Sequence, residues 1–82
     1  MKLRKILEES GFSEKAASVY LALLAIREGT VADVAKRSRV KRPTAYLVLA
    51  ELEEQGLVSH VKKNASLHYR ALNPIALLER QH

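Results

Sequence analysis

Apolar residues follow one spacing up to about residue 55 and another beyond it. Up to that point they recur at i, i+3 and i+4, which predicts helices over 2–10, 14–28, 31–38 and 42–55. Segments 57–63 and 67–72 read as short strands joined by a turn at 64–66, which predicts a β-hairpin. A last short helix is predicted over 73–82.

Local signals mark several of these helix ends. Ser13 is a natural N-cap, and Thr30 with Asp33 three residues later has the form of a capping box. Gly29 and Gly56 fit the position just after a helix, where a left-handed residue closes the last turn. The chain is therefore divided sharply into short elements.

The order of elements predicts a mainly α fold with a small β-hairpin. The segment 14–28 is apolar on most sides, which is typical of a helix at the centre of a small core. Two short helices joined by a tight polar turn at 38–41, followed by a hairpin, give a winged helix-turn-helix. We expect one winged-helix domain over 1–82, with an N-terminal helix 2–10, a core 13–72 and a C-terminal helix 73–82.

The most distinctive stretch is a run of cations before the helix at 42–55. No acidic residue occurs between Val34 and Ala50. The start of a helix favours anions, because its free N–H groups and its dipole point there. A charge run is usually only a solvated surface, but this placement favours contacts with DNA phosphates. The five cations are Lys36, Arg37, Arg39, Lys41 and Arg42.

Composition narrows the choice of partner and compartment. The 82 residues carry a net charge of +5, which suits nucleic acid or an anionic membrane surface. A role at the membrane surface is disfavoured, because the cations cluster before the helix over 42–55 instead of lining its polar face. The absence of cysteine excludes disulfides and the common cysteine zinc sites. His60 and His68 have no evident third ligand, so we expect no metal, and the protein is expected to be cytoplasmic and nucleoid-associated.

Five residues at the start of the helix over 42–55 are candidates for groove contacts. Arg42 can reach guanine O6 and N7, and Thr44 can meet a phosphate or a thymine methyl group, with Pro43 beside them in the first turn. Tyr46 either packs at the domain edge or donates to a phosphate. Leu47 falls outside the core stripe; it can touch thymine methyl groups, cover part of the hairpin, or lie in a protein interface.

The hairpin adds a second set of candidates. Lys62, Lys63 and Asn64 lie at its tip, where we favour phosphate contacts over an ordinary solvated turn. Arg70 is either a contact of the same kind or a surface charge. These residues complete the predicted DNA-binding set.

Several segments together resemble the TrmB family of archaeal and bacterial transcriptional regulators, over about residues 7–78. The resemblance implies a three-helix core and a wing, with the helix over 42–55 in the major groove and dimeric binding to a pseudo-palindromic operator. Longer family members carry a C-terminal sugar-sensing domain, and no small-molecule effector is evident here. The position of Leu47 is often polar or acidic in the family. The matching segments are 12–24, 29–30, Val40-Lys41-Arg42-Pro43-Thr44-Ala45-Tyr46, 49–58 and Tyr69-Arg70-Ala71-Leu72-Asn73-Pro74.

The sequence thus predicts sequence-specific binding of double-stranded DNA by a transcriptional regulator. A homodimer is expected from the resemblance and from the amphipathic terminal segments 3–7 and 75–78. The alternative is a winged-helix module for protein–protein interaction, supported by Leu47 and the apolar last helix. No catalytic pair, glycine-rich phosphate loop or carboxylate cluster is present, so neither an enzyme nor a cofactor is expected.

Overall fold

The structure, a computed structural model, describes residues 3–72. In chain order these form α1 (Leu3–Glu9), α2 (Glu14–Ile26), β1 (Glu28–Gly29), α3 (Val31–Ser38), α4 (Arg42–Glu54), β2 (Val58–Lys63) and β3 (Ser66–Ala71). The four predicted helices and the predicted hairpin are confirmed, with ends that shift by two residues at most. The last helix, predicted over 73–82, lies outside the described residues.

Side-chain caps begin α2 and α3 as the sequence predicts. Ser13 Oγ accepts the N–H of Ala16 at 3.1 Å at the start of α2. At the start of α3, Thr30 Oγ1 accepts the N–H of Asp33 at 3.3 Å, and Asp33 Oδ2 accepts the N–H of Thr30 at 3.0 Å. The capping box therefore fixes where the helix-turn-helix begins.

The end of α4 is also as predicted, because Gly56 takes a positive φ of 79°. Its N–H donates to the carbonyl of Glu53 at 3.0 Å, and the N–H of Leu57 donates to the carbonyl of Leu52 at 3.0 Å. Leu52 and Leu57 are both fully buried. This pair of hydrogen bonds with its apolar contact is a Schellman motif, which turns the chain from α4 into β2.

The prediction that Gly29 ends α2 is wrong. The helix ends at Ile26, and Arg27 takes the positive φ of 70° while its N–H donates to the carbonyl of Leu23 at 2.7 Å. Gly29 instead lies in β1, opposite Tyr69. A Cβ at Gly29 would lie 2.7 Å from Ile26 Cδ1, so this glycine permits a close approach of α2 to the sheet.

The sheet has three antiparallel strands in the order β1-β3-β2. The strand β1 was not predicted, because two residues are too few to show an alternating pattern. The predicted turn 64–66 is one residue too long: Ser66 pairs with Lys63, and only Asn64 and Ala65 form the turn. Both turn residues have positive φ, which matches a two-residue hairpin turn.

The core is centred on α2, and the apolar stripe of α4 packs on it. Tyr20 of α2 is fully buried, and its hydroxyl donates to the carbonyl of Leu72 at 2.8 Å, which fastens the chain beyond β3 to the core. Burial raises the pKa of the Tyr20 phenol. The predicted stripe is confirmed, since its four members are buried: Ala45, Val48, Leu49 and Leu52.

Candidate nucleic-acid interface

The five cations extend from the last turn of α3, across a tight turn, to the first residue of α4; we call residues 36–42 the basic segment. Lys36 and Arg37 occupy the last turn of α3. Arg39 takes a left-handed conformation (φ 64°), and its N–H donates to the carbonyl of Ala35 at 2.9 Å. Val40 is partly buried against the core, so the turn is anchored while the cations on either side of it remain exposed.

The cations of the basic segment leave their charge largely available, although Lys36 lies near enough to Asp33 to help lower the pKa of that carboxyl. Within residues 3–72, none of these five side chains takes part in an ion pair. Three of them border an open groove whose other lining residues are Ile26, Glu28 and Asp33. An incoming anion would therefore meet unpaired guanidinium and ammonium groups at the turn.

The start of α4 differs from those of α2 and α3 in having no side-chain cap. Lys41 is its N-cap residue, and its side chain makes no capping hydrogen bond. Pro43 lies in the first turn and has no N–H to leave unsatisfied. The exposed Arg42 and the half-buried Thr44 flank it, so the predicted groove residues share one helix end with the basic segment.

The hairpin cations fall into two groups that the sequence did not separate. Lys63 Nζ lies 2.7 Å from Glu28 Oε2, and Arg70 Nη2 donates to Glu28 Oε1 at 3.1 Å. These hydrogen bonds, with Lys63 contributing most, lower the pKa of Glu28. Lys62 makes no ion pair within residues 3–72, and Asn64 lies exposed in the turn.

The two remaining candidates, Tyr46 and Leu47, are exposed on α4. Tyr46 is 49% exposed and lies close enough to Tyr69 to help raise the pKa of that phenol, which is raised mainly by its own burial. Leu47 is 64% exposed, so any cover that it gives to the hairpin is at most partial, and its three predicted roles stay predictions. Two of these roles, contact with thymine methyl groups and a protein interface, need an exposed side chain.

Sequence reasoning missed two carboxylates that contact the hairpin, one from β1 and one from α4. Glu28 lies far along the chain from Lys63 and Arg70, and no local pattern indicates that β1 brings it to them. Glu53 of α4 lies 2.8 Å from Nδ1 of His60 in β2. No group of three or more metal-ligating side chains within residues 3–72 is arranged to hold a metal ion.

These features define a class of protein. A helix-turn-helix with an exposed basic turn, combined with a small antiparallel sheet of β1 and the β2–β3 hairpin, is the winged helix-turn-helix of DNA-binding regulators. Residues 7–75 match the profile of the family described as the sugar-specific transcriptional regulator TrmB, and the chain belongs to that family. Its members are DNA-binding transcription regulators rather than enzymes.

Solved structures agree with the winged-helix fold. The archaeal chromatin protein TrmBL2 is 30% identical with a TM-score of 0.81, over 96% of this chain and 30% of the TrmBL2 chain. BpsR of Bordetella bronchiseptica is 19% identical (TM-score 0.75), over 95% of this chain and 65% of BpsR. YusO of Bacillus subtilis is 18% identical (TM-score 0.75), over 95% of this chain and 59% of YusO. The last two similarities show the fold alone.

The chain thus spans less than a third of TrmBL2 and less than two thirds of BpsR or YusO. Comparison with curated proteins finds no match. Within residues 3–72, no helix has the length and apolar character needed to cross a bilayer.

Proposed function

We propose that this chain binds double-stranded DNA sequence-specifically as a transcriptional regulator, with α4 in the major groove and the β2–β3 hairpin as the wing. The observation that carries the proposal is the basic segment: five exposed cations that form no ion pair within residues 3–72 and that lie between the last turn of α3 and the uncapped start of α4. Unpaired cations cost little to transfer to phosphates, because no protein contact has to be broken first. Affinity then comes mainly from these phosphate contacts, and register from the first turn of α4.

Within this proposal the residues of the start of α4 have different tasks. Arg42 is best placed to contact a guanine edge, and Thr44 to contact a phosphate. Lys62 and Asn64 are the wing residues nearest to the DNA backbone. Lys63 and Arg70 contribute less than the sequence suggests, because Glu28 already neutralises much of their charge.

Binding to mixed-sequence duplex DNA across a salt series tests this function. For the wild-type chain we expect log Kd to change linearly with log salt concentration. In a Lys41→Ala/Arg42→Ala variant, the slope should be smaller by about one for each phosphate contact that is lost. The matched control is Lys5→Ala/Lys15→Ala, which removes the same charge from exposed positions on α1 and α2.

The comparison of the two double variants decides the outcome. Equal slopes for both would mean that only net charge matters and that the basic segment is not the contact surface. An absence of binding at low salt would contradict the proposal altogether. If Arg42→Ala loses affinity for some DNA sequences more than for others, Arg42 contacts a base. Such a contact is worth about 1–3 kcal/mol of discrimination between bases.

A homodimer is part of the proposal, because two copies would read the halves of a pseudo-palindromic site. It is supported by the family assignment and by the apolar spacing of the terminal segments. Sedimentation of the free protein and of its DNA complex at micromolar concentration tests it. A monomer in the free protein together with a single copy per duplex in the complex would remove this part of the proposal.

A second function, DNA binding without sequence preference, is favoured by the similarity to TrmBL2, which is described as a chromatin protein. Both functions use the same basic segment, so the salt series does not separate them. Selection from a pool of random duplexes does: an enriched motif supports the regulator, and an unchanged pool supports the chromatin-like function.

A further inference from the structure

The exposed side of α4 is apolar where a recognition helix would meet the bases. Leu47 is 64% exposed, and Pro43 and Ala50 are also exposed along the same side, opposite the buried stripe. Tyr46, 49% exposed, borders them. We call Pro43, Tyr46, Leu47 and Ala50 the outward face; they lie at i, i+3, i+4 and i+7.

The outward face offers almost no group that can hydrogen-bond to a base edge. Pro43, Leu47 and Ala50 have no polar side-chain atom, so the Tyr46 hydroxyl is the one polar side-chain group among these four residues. Other polar groups of α4 lie before the face, at Arg42 and Thr44, or beyond it, at the acidic Glu51 and Glu54. Leu47 itself can therefore recognise DNA only through apolar contact.

The thymine C5 methyl is the apolar group that an unmodified major groove presents. We infer that Leu47 is a specificity-determining residue that packs on thymine methyl groups, so that this chain prefers thymine at the base pairs under the second turn of α4. This inference rests on the proposed function, since it requires α4 to lie in the major groove. It adds a base preference that phosphate contacts alone do not give.

The charges around the outward face favour DNA as its occupant over a second protein. The basic segment lies at one end of the face, and no acidic residue occurs between Asp33 and Glu51. A protein that covered Leu47 would have to pair or bury several of these cations, which is costly without matching carboxylates. A duplex supplies phosphates for the cations and methyl groups for the leucine at the same time.

The test compares two duplexes that differ only in the methyl group. The probes are a 30-base-pair alternating d(AT) duplex and the same duplex with deoxyuridine in place of thymidine, each labelled and titrated at one fixed salt concentration. We expect the wild-type chain to bind the thymine duplex more tightly by roughly fourfold for each methyl group that Leu47 covers. In Leu47→Ala the ratio of the two dissociation constants should fall towards one.

Two further variants test whether something other than Leu47 causes the ratio of the two dissociation constants. Leu47→Met keeps an apolar side chain and should keep most of the preference. Lys62→Ala at the wing tip should weaken binding to both duplexes equally and leave the ratio unchanged. Because Leu47 is largely exposed, its replacement should not unfold the chain, and circular dichroism checks this.

The outcomes separate this inference from the proposed function. Equal binding of both duplexes with normal salt dependence overturns the thymine preference and leaves DNA binding intact. A preference that survives in Leu47→Ala also overturns it, since duplex shape would then be the cause. Failure to bind either duplex overturns both proposals. A change in oligomeric state in Leu47→Ala, with an unchanged ratio, would assign Leu47 to a protein interface and overturn the inference.

Discussion

Among single residues, Ala65 in the hairpin turn has a backbone conformation that is unfavourable for its residue type. Asn64 and Ala65 have φ values of 49° and 67°, so both turn residues are left-handed. Asparagine tolerates this conformation, whereas alanine is disfavoured there because its Cβ crowds the following carbonyl oxygen. The preferred sequence for such a turn is Asn-Gly.

Ala65→Gly should therefore stabilise the protein, raising the free energy of unfolding by about 1 kcal/mol. Urea unfolding followed by circular dichroism measures it. The matched control is Ala50→Gly at an exposed position within α4, which should lower the free energy of unfolding by about 1 kcal/mol. A lower stability for Ala65→Gly would mean that the entropy gained by the unfolded chain outweighs the relief of strain.

Gly29 shows the opposite case, in which a glycine is required although its φ is not positive. An added Cβ would lie 2.7 Å from Ile26 Cδ1 and 3.1 Å from Asp33 Cβ. The end of Ile26 can rotate away, but Asp33 is held by its hydrogen bonds with Thr30. We expect Gly29→Ala to lower the free energy of unfolding by about 1–3 kcal/mol. An unchanged urea midpoint would show that the capping box yields without cost.

At the scale of elements, local signals predicted most helix ends, with Gly29 as the exception, and features that depend on distant contacts were missed. The caps at Ser13 and Thr30 and the end of α4 at Gly56 are short-range patterns, and all were identified. β1 was missed, because its two residues become a strand only by pairing with β3. Glu28 was missed as a partner for the same reason.

The candidate site also contains a part that the sequence predicts and a part that depends on distant contacts. The basic segment was found, because its five cations are adjacent in sequence and lie at a helix start. The sequence does not indicate that Lys63 is ion-paired while Lys62 is not. Neighbouring residues of a strand lie on opposite faces of the sheet, so the two lysines meet different neighbours. Only the fold reveals that the face carrying Lys63 and Arg70 also carries Glu28.

Because of this pairing, we expect Glu28 to weaken the attraction between the wing and DNA phosphates. Glu28→Gln removes one negative charge and leaves Lys63 and Arg70 without an internal anion. If the wing approaches phosphates, affinity for duplex DNA at low salt should rise several-fold, and the salt slope should become steeper by up to about two. Filter binding or anisotropy across a salt series measures both quantities.

A matched control separates this effect from net charge. Glu14→Gln removes the same charge from an exposed position in the first turn of α2, and it should change DNA affinity much less. An equal rise for both variants would mean that long-range charge alone is responsible. An unchanged affinity in Glu28→Gln would mean that Lys63 and Arg70 do not approach the DNA backbone.

For the whole molecule, two carboxylates act where the sheet meets the helix-turn-helix: Glu28 of β1 pairs with the hairpin, and Asp33 closes the capping box of α3. Hydrogen bonds from Lys63 and Arg70 lower the pKa of Glu28, and hydrogen bonds from Thr30 lower the pKa of Asp33. Both therefore favour the folded state while they are ionised. Their contribution is complete above the ordinary carboxyl pKa of about 4 and is lost as the pH falls through their lowered values in the folded state.

We therefore expect the urea midpoint to be steady from neutral pH down to about pH 5 and to fall steeply below pH 4. The double variant Glu28→Gln/Asp33→Asn should be less stable at neutral pH, and its midpoint should fall less on acidification. Salt distinguishes the two groups, since it should weaken the exposed ion pairs of Glu28 more than the short-range hydrogen bonds of Asp33 with Thr30. If the variant showed the same acid profile as the wild-type chain, other carboxylates would control acid unfolding.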